Sequence, residues 1–468
     1  MLLAVGLWIE DHTTFFSFLE ALGTAKARGS FFQSLWQLGS TKRDEQLRLW
    51  PSFDLTETYI ENPRRLLVEY VTHHHPNVNI SKQVDLDWLD WLKVHLCPMA
   101  NFTWEAQFPS PTTMPLVGVD HSLEEWYKAW AQLPIAGIKV SNYNSKSASL
   151  LPAAVPYLFA VLPHCHGLTT LWFRGCFCFS PLFKFLATST MLVELRISCW
   201  WEKKLLTEAD LVHATQWLKS APVQRIYLEY LYLAPTVPSS VKNAFYNALF
   251  GCPTLRKVYF NKFDVLQFKW HPGTVLHMQT LKLFYCTIPA TALQSLARAL
   301  RRSTRVNVVS IFSLIQIEID GVDLDAEYTS AWEEFLDAVG HAGVKYLNVK
   351  DCCFGDSRWH LLGPLLQKSK LHKLQLLNVG ITADGAACLV QAIEANDSLT
   401  EVNLMGNVLT FDSVVGLVKA SSQRLTASLT QLCVTIQNDS NVHENKMTDL
   451  CAFARERGMH LVIDITKI

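Results

Sequence analysis

The sequence predicts an α/β solenoid in which parallel strands alternate with helices, preceded by a small helical module. Two stretches carry this prediction, because residues 371–376 and 399–404 keep the same spacing, apolar-x-x-apolar-x-apolar, 28 residues apart. Between them, the apolar residues of 386–393 fall at helical intervals and form the stripe of an amphipathic helix. One such strand–helix unit cannot bury its own apolar face, so successive units must stack.

The repeated unit resembles the ribonuclease-inhibitor type of leucine-rich repeat. The resemblance is carried by GITADGAACLVQAI, followed by SLTEVNLMGNVLT. Asn407 stands where repeats of this type turn the chain with Asn or Cys, and Cys176, Cys286 and Cys352 stand at the turn of other copies. The resemblance implies a horseshoe with the parallel strands on its concave face and the helices on its convex face.

Residues 1–50 differ from the rest of the chain and predict a small α-helical module of three short helices. An apolar helix, an acidic break after Ile9, the stretch FFSFLEAL and a later aromatic helix follow in an order that resembles an F-box. The resemblance implies docking on the Skp1 subunit of a cullin ubiquitin ligase, through Trp8, Phe15, Phe18, Leu19, Leu22 and Trp36. The alternative is a capping unit that seals the first repeat, as solenoids require.

Residues 51–76 predict a linker with one helix, followed by three adjacent histidines at 73–75. We assign the histidines to a solvated loop, because side chains next to each other in sequence do not share a face and make a poor metal site.

The repeat domain is expected over residues 77–468, with about fourteen strands. The interval between Met278 and Val344 is about two repeats long, so residues 306–319 should supply a further strand, followed by an acidic surface insertion at 320–330. The other strands begin at Val78, Phe102, Ile135, Leu168, Leu192, Val223, Leu255, Met278, Val344, Leu371, Leu399, Leu429 and Met459.

Composition indicates an intracellular protein without a preference for polyanions. The net charge is −1, which gives no overall attraction to nucleic acid or acidic membranes. Twelve cysteines show no disulfide-like spacing and are expected to be reduced thiols of the core. No secretion signal or membrane-spanning stretch is found, so a cytoplasmic location is expected.

Enzyme motifs are not found in the sequence, and we assign no catalytic, cofactor-binding or metal-binding residue. Binding is the better hypothesis, because the side chains between the core positions of each strand should project from the concave face. That face mixes aromatic residues with Arg and Lys, the types that dominate binding hot spots. The proposed partner-binding residues are Trp172, Arg174, Arg196, Arg225, Tyr227, Glu229, Lys257, Tyr259, Lys282 and Phe284.

The concave surface has two alternative interpretations. Exposed strands favour aromatic and β-branched residues in general, so its composition could reflect strand preference alone. Basic and aromatic residues together also suit single-stranded nucleic acid, although Glu194 and Glu229 among them favour a protein partner.

The sequence therefore predicts a non-catalytic protein–protein interaction protein. Its sharpest form is an F-box-like receptor that holds a cullin ligase through residues 1–50 and its substrate on the concave face. The alternative is a free-standing scaffold or inhibitor whose N-terminus serves only as a cap.

Overall fold

The chain divides into two compact units, residues 1–202 with 220–222 and residues 203–219 with 223–468. A computed structural model describes residues 5–6, 8–40, 46–55, 64–82, 84–111, 122–141, 150, 152–175, 179–199, 204–263, 271, 273–286, 288–312, 324–352, 359–424, 429–437 and 444–466.

Two helices near the start of the first unit have N-termini that a side chain caps. Asp11 accepts the backbone N–H of Thr14 at 2.6 Å, and Thr24 accepts that of Ala27 at 3.2 Å. The elements of this unit are α1 (His12–Ala21), α2 (Ala25–Gly39), β1 (Phe53–Leu55), α3 (Arg65–His74), β2 (Asn77–Ile80), α4 (Leu86–His95), β3 (Asn101–Trp104), α5 (Leu123–Trp130), β4 (Ile135–Ser141), α6 (Val155–Val161), β5 (Thr170–Arg174), α7 (Ser180–Thr188) and β6 (Glu194–Ser198).

The sheet of the first unit starts one strand earlier than the sequence predicts. Strands β1 to β6 lie in chain order and pair in parallel. Phe53 pairs with Val78 and Leu55 with Ile80, so Phe53–Leu55, which the prediction placed in a linker, is a strand of this sheet. The sequence signal was weak because β1 is only three residues long.

The helices of the N-terminal module pack on this first strand region. The ring of Phe15 stacks on Trp50 at 3.9 Å, and the Trp50 indole N–H donates to the Ile9 carbonyl at 2.6 Å. Trp50 also lies 5.5 Å from the His75 ring and is 1% exposed. Phe53 beside them is fully buried, so side chains of the module share the apolar core at β1.

His75 corrects the prediction of a solvated histidine loop. Its neighbours at 73–74 end helix α3, whereas the His75 side chain is fully buried. Its Nε2 lies 3.1 Å from the Leu49 carbonyl, and its Nδ1 accepts the backbone N–H of Asn77 at 3.1 Å. One donor and one acceptor are the capacity of a neutral imidazole, so the buried ring is fully satisfied without a charge.

The second unit continues the alternation of strands and helices. Strands β8 and β10 to β17 pair in parallel in chain order, while the short β7 and β9 pair separately. Its elements are β7 (Lys204–Leu206), α8 (Glu208–Ser220), β8 (Arg225–Glu229), β9 (Leu231–Leu233), α9 (Ser239–Phe250), β10 (Lys257–Asn261), β11 (Thr280–Phe284), α10 (Ala290–Arg301), β12 (Val308–Phe312), α11 (Leu324–Ala342), β13 (Tyr346–Lys350), α12 (Trp359–Gln367), β14 (Lys373–Leu377), α13 (Ala383–Ala395), β15 (Glu401–Leu409), α14 (Phe411–Gln423), β16 (Gln431–Gln437), α15 (Glu444–Glu456) and β17 (His460–Thr466).

The long interval between β11 and β13 contains the expected additional strand. β12 joins β11 and β13 in parallel, which confirms a strand within 306–319. The acidic stretch that follows was expected to be a surface insertion. From Leu324 onward it is instead the start of the 19-residue helix α11, which buries Phe335 and Val339.

The turns after β8, β10, β11, β13 and β14 each rely on one non-glycine residue in the left-handed region. Tyr230, Lys262, Tyr285, Asp351 and Asn378 each follow the last strand residue with φ between 48° and 58°. Their backbone N–H groups donate at 2.8–3.0 Å to a carbonyl of the following repeat, extending the ladder by one bond. This turn sends the next side chain inward, which is why the position after it is apolar, Cys or Asn.

Asn407 and two cysteines occupy that inward position as expected. The Asn407 amide donates to the carbonyls of Leu376 and Leu404 at 2.7 and 2.8 Å and accepts the N–H groups of Val379 and Ile381. Cys286 and Cys352 each donate a thiol hydrogen bond of 3.3 Å to a carbonyl two residues before them. Cys176 lies outside the described residues.

The predicted core triplets of the strands up to β16 are buried, whereas on β17 Leu461 and Ile463 are half-buried and Ile465 is 54% exposed. Leu171 and Phe173, or Leu374 and Leu376, are at most 2% exposed, while the residues between them are partly exposed. The chain therefore has the predicted α/β leucine-rich-repeat fold, with helices against one face of each sheet and an open face opposite. Among the helices that the structure describes, none is both long and apolar enough to cross a membrane.

Candidate functional site

The open faces of the two units, each taken by itself, carry the residues proposed for partner binding. Strands β5, β8, β10 and β11 all show the alternation of more exposed and buried side chains that the triplet spacing requires. The prediction placed these side chains in solvent. Apart from the exposed Arg225 they are instead half-buried, because neighbouring strands bring the side chains of successive repeats into contact.

On the first unit, Trp172 is held between two cations. Lys139 and Arg196 lie 5.8 and 5.4 Å from the centre of its ring, on the strands to either side. Lys139 forms an ion pair with Glu105, and Arg196 forms one with Glu194, which is 4% exposed. The charges of this patch are therefore matched within the unit.

On the second unit, four rings form a continuous row, which we call the aromatic row: Tyr227, Tyr259, Phe284 and Phe312. Tyr227 and Tyr259 lie 6.0 Å apart, and Tyr259 meets Phe284 edge-to-face at 5.1 Å. Phe284 stacks flat on Phe312 at 3.9 Å. The parallel register of β8, β10, β11 and β12 produces the row. Tyr259 pairs with Tyr227 and Phe284 pairs with Phe312, while Phe284 lies two residues beyond Lys282, the partner of Tyr259 on β11.

Phe312 was missed in the sequence. The stretch VNVVSIFSLIQIEI predicts a strand, but it is apolar at nearly every position and does not indicate which side chains face the core. The structure fixes this register by pairing Phe284 with Phe312 and Lys282 with Ser310. The 66-residue interval between two clear triplets was the only available signal.

Positive charge lies beside the aromatic row. Lys257 lies 5.2 Å from the centre of the Tyr227 ring, and Lys350 lies 6.0 Å from that of Phe312. Lys350 has Asp351 at 4.0 Å, and further along the face Lys373 forms a 2.6 Å ion pair with Glu401. In the part of the chain that the structure describes, Lys257 and Lys282 form no ion pair.

Two ionisable groups of this surface have shifted pKa values. Partial burial lowers the pKa of Lys282, and the positive charge of Lys257 lowers it further. Burial raises the pKa of Tyr259, and its contact with the Glu229 carboxylate raises it as well. Glu229, the nearest carboxylate on these strands, is therefore engaged with a tyrosine hydroxyl.

A second line of side chains, which we call the ridge, borders the aromatic row: Tyr230, Lys262 and Tyr285. These are left-handed turn positions, where a side chain with a β-carbon costs roughly 1–2 kcal/mol. Lys262 lies 4.8 Å from the Tyr230 ring centre and 5.7 Å from that of Tyr285, which is 40% exposed. Sequence reasoning missed the ridge because nothing in the local pattern marks a Tyr or Lys as left-handed.

The N-terminal residues proposed for adaptor binding separate into two groups. Phe15 and Leu19 are fully buried in the contacts that close the first unit, so they cannot be contact residues. The prediction was wrong for these two, because the apolar stripe of α1 is used internally. Trp8 is 87% exposed, and Phe18, Leu22 and Trp36 are partly exposed. The Trp36 ring has the Arg28 guanidinium 4.1 Å from its centre.

Cys165 lies between His164 and His166 but is not an activated nucleophile. Burial raises the pKa of the Cys165 thiol to about 12, so it is held as an unreactive thiol. Within the ranges that the structure describes, no cluster of three or more His, Cys, Asp or Glu side chains could hold a metal ion. The described cysteines are all free thiols.

Comparison with known proteins yields similarity to solved structures only. No family model and no curated protein sequence matches the chain. An internalin from Listeria monocytogenes is 14% identical over 70% of this chain and 80% of its own, with a TM-score of 0.37. A protein from Bacteroides fragilis is 13% identical over 53% of this chain and 71% of its own, with a TM-score of 0.34. Both TM-scores are low, so the fold assignment rests on the strands, helices and turns of the chain itself.

Proposed function

We propose that this protein is a non-catalytic interaction protein that binds a protein partner on the open face of the second unit. The aromatic row is the observation that carries the proposal. It presents four half-exposed rings on adjacent strands, with Lys257 and Lys282 among them. Aromatic side chains offer large, rigid contact areas at a low cost in conformational entropy, which is why they dominate binding hot spots.

The same sheet provides an internal comparison that argues against a purely structural cause. Strands β14 to β16 use the same fold without any ring on the open face. The corresponding side chains there are Lys373, Gln375, Leu377, Glu401, Asn403, Met405, Gln431, Cys433 and Thr435. A leucine-rich-repeat strand therefore does not need aromatic residues on this face, and their concentration on β8 to β12 favours recognition.

The proposal is tested by removing rings from the open face of the full-length protein. The variant carries Tyr227→Ala and Phe284→Ala, and its control carries Phe453→Ala on α15. Phe453 is a partly exposed ring with a cation, Arg457, 5.3 Å from its centre, so the control removes a similar ring from a helix. Affinity purification from cells, quantified by mass spectrometry, should lose specific partners with the double variant only. Equal recovery by all three proteins would refute binding at this surface.

For residues 1–50 we propose the role of a cap, supported by the contacts of Phe15 and Trp50 at the first strand. The F-box-like receptor is the second candidate, and the exposed Trp8 indole favours it. Full-length protein and the variant Trp8→Ser separate the two, because this change leaves the buried contacts in place. Recovery of Skp1 and a cullin by the parent protein, lost in the variant, would support the receptor. If neither the parent nor the variant recovers Skp1 or a cullin, the result would support the cap.

We include in the proposal an intracellular location and a similarity of these repeats to the ribonuclease-inhibitor type. The full helix in each repeat, as in α13, α14 and α15, supports the type. Free, buried thiols at the turns support a reducing compartment.

A further inference from the structure

Lys257 and Lys282, two cations beside the aromatic row, form no ion pair within the described part of the chain, unlike Lys350 with its neighbour Asp351. Trp172 on the first unit shows what a neutralised arrangement looks like, because both cations beside it are ion-paired with Glu105 and Glu194. Lys257 and Lys282 have no such carboxylate in the described ranges, and partial burial, together with the positive charge of Lys257, disfavours the charged form of Lys282. Two close ammonium groups without counter-charges are unfavourable in the free protein and become favourable when a partner brings anions.

The ridge adds a third cation and two tyrosines at positions where the backbone disfavours them. At the equivalent turn of other repeats the chain uses Gly175, Asn378 and Gly406, which suit a positive φ. Tyr230, Lys262 and Tyr285 therefore keep bulky side chains at a cost to the fold in three turns beside the aromatic row. Strained residues that persist in a cluster are typical of binding sites.

The geometry of the rings favours an acidic protein segment over single-stranded nucleic acid. Stacking of bases requires free ring faces. One face of Phe284 is covered by Phe312, while Lys257 lies over Tyr227 and Lys262 over Tyr230. What these groups offer instead are ring edges and ammonium groups, which suit apolar side chains and the carboxylates between them.

We propose, building on the function proposed above, that the partner presents an acidic, extended peptide segment to this surface. Its carboxylates would pair with Lys257, Lys262 and Lys282, and its apolar side chains would lie on the aromatic row. The ridge would form one wall of the contact. The net charge of the whole protein is −1 and does not indicate that this surface prefers an acidic partner.

A displayed library of random peptides tests the proposal on full-length protein. Parallel selections use the parent protein, the double variant Lys257→Gln/Lys282→Gln, and the charge-matched control Lys368→Gln/Lys419→Gln. The control lysines are exposed on the helix side of the same unit. Peptides enriched on the parent and on the control should be rich in Asp and Glu and contain an apolar residue. Their affinity, measured by fluorescence anisotropy, should fall about tenfold in the Lys257→Gln/Lys282→Gln variant and weaken with added salt.

A second variant isolates the ridge without disturbing its backbone. Tyr230→Asn/Tyr285→Asn introduces a residue that the chain itself uses at this turn, in Asn378 with φ 51°. The melting temperature should stay the same or rise, while affinity for the selected peptides falls several-fold. A loss of folding without any change in the affinity of the folded fraction would remove the ridge from the site.

The outcomes separate this inference from the function on which it builds. Enriched peptides that are not acidic, but lose binding with Tyr227→Ala/Phe284→Ala, would overturn the acidic partner and keep the proposed function. No enrichment, or enrichment that is indifferent to every open-face variant, would overturn both. Tighter binding of an oligothymidylate probe that displaces the selected peptides would also overturn the acidic segment, in favour of nucleic acid.

Discussion

At the scale of the residue, side chains of the open face pack on one another and contribute to stability, besides the recognition proposed for them. Tyr259 is held between Tyr227 and Phe284 and is half-buried, so it does not stand free in solvent as the alternating pattern suggested. The pattern identifies which face a side chain points to. It cannot show that rings on successive strands will cover one another, because that depends on pairing partners far away in the sequence.

Tyr259 and Leu374 should differ in what their removal costs. Tyr259→Ala loses two ring contacts at an open surface, and we expect the free energy of unfolding to fall by about 1–2 kcal/mol. Leu374→Ala leaves a cavity in the core, where the side chain is 1% exposed, and should cost about 2–5 kcal/mol. Urea denaturation measures both. Equal losses would mean that Tyr259 is a core residue and that the assigned register is wrong.

His75 should make the first unit sensitive to acid. Burial lowers the pKa of His75 to about 4, whereas an unfolded histidine titrates near pH 6.5. Between these values the unfolded chain binds a proton that the folded chain does not, so stability falls as the pH drops from about 6.5 to about 4. The loss has an upper bound of about 3 kcal/mol.

The comparison for this prediction is His75→Gln, which keeps a donor and an acceptor but does not titrate. The parent should lose stability across that interval by more than the variant, measured by thermal unfolding at a series of pH values. Parallel pH curves for the two proteins would show that His75 is not a buried neutral group.

At the scale of the element, the strands were predictable and the turns were not. The triplet spacing identified β5, β6, β8, β10 and the later strands, because a wrong register would expose an entire apolar set. β1 was too short to show a pattern, and β12 was too uniformly apolar to reveal its register. The left-handed turns depend on a positive φ, which a Tyr or Lys in the sequence does not indicate.

Asn407 is the most informative turn residue, because it makes four hydrogen bonds to backbone groups of two repeats. Asn407→Ala leaves two carbonyls and two N–H groups without these partners. Because Asn407 is only 2% exposed, we expect the free energy of unfolding to fall by about 2–4 kcal/mol. Asn403→Ala on the half-buried open face, which removes one bond to the Met405 N–H, should cost less than half as much. Chemical denaturation measures the stability of both variants. A loss for Asn403→Ala as large as that for Asn407→Ala would contradict the structural role assigned to Asn407.

At the scale of the whole molecule, the net charge does not predict the charge of the candidate binding surface. The net charge of −1 averages over paired charges around Trp172 and unpaired lysines on the aromatic row. The sequence indicated the candidate surface through Tyr227, Tyr259 and the lysines. The difference between paired and unpaired cations needed the structure, because it depends on which strands lie side by side.

The N-terminal module should protect the first strands most strongly. Phe15 and Trp50 cover the end of the core at β1, and repeats in a solenoid contact only their neighbours. Trp50→Ala should therefore lower hydrogen-exchange protection in β1 and β2 more than in β5. Loss of protection that is equal in all three strands would mean that the first unit unfolds as one body and that the module is not a local cap.

Photo-crosslinking from two positions tests the central claim most directly. A benzophenone side chain replaces Thr280 on the open face of β11 in one protein and Lys419 on α14 in the other, and both are illuminated in cells. We predict discrete protein adducts from position 280 that position 419 does not form. Adducts that are the same from both positions, or that arise only from position 419, would contradict binding on the open face of the second unit.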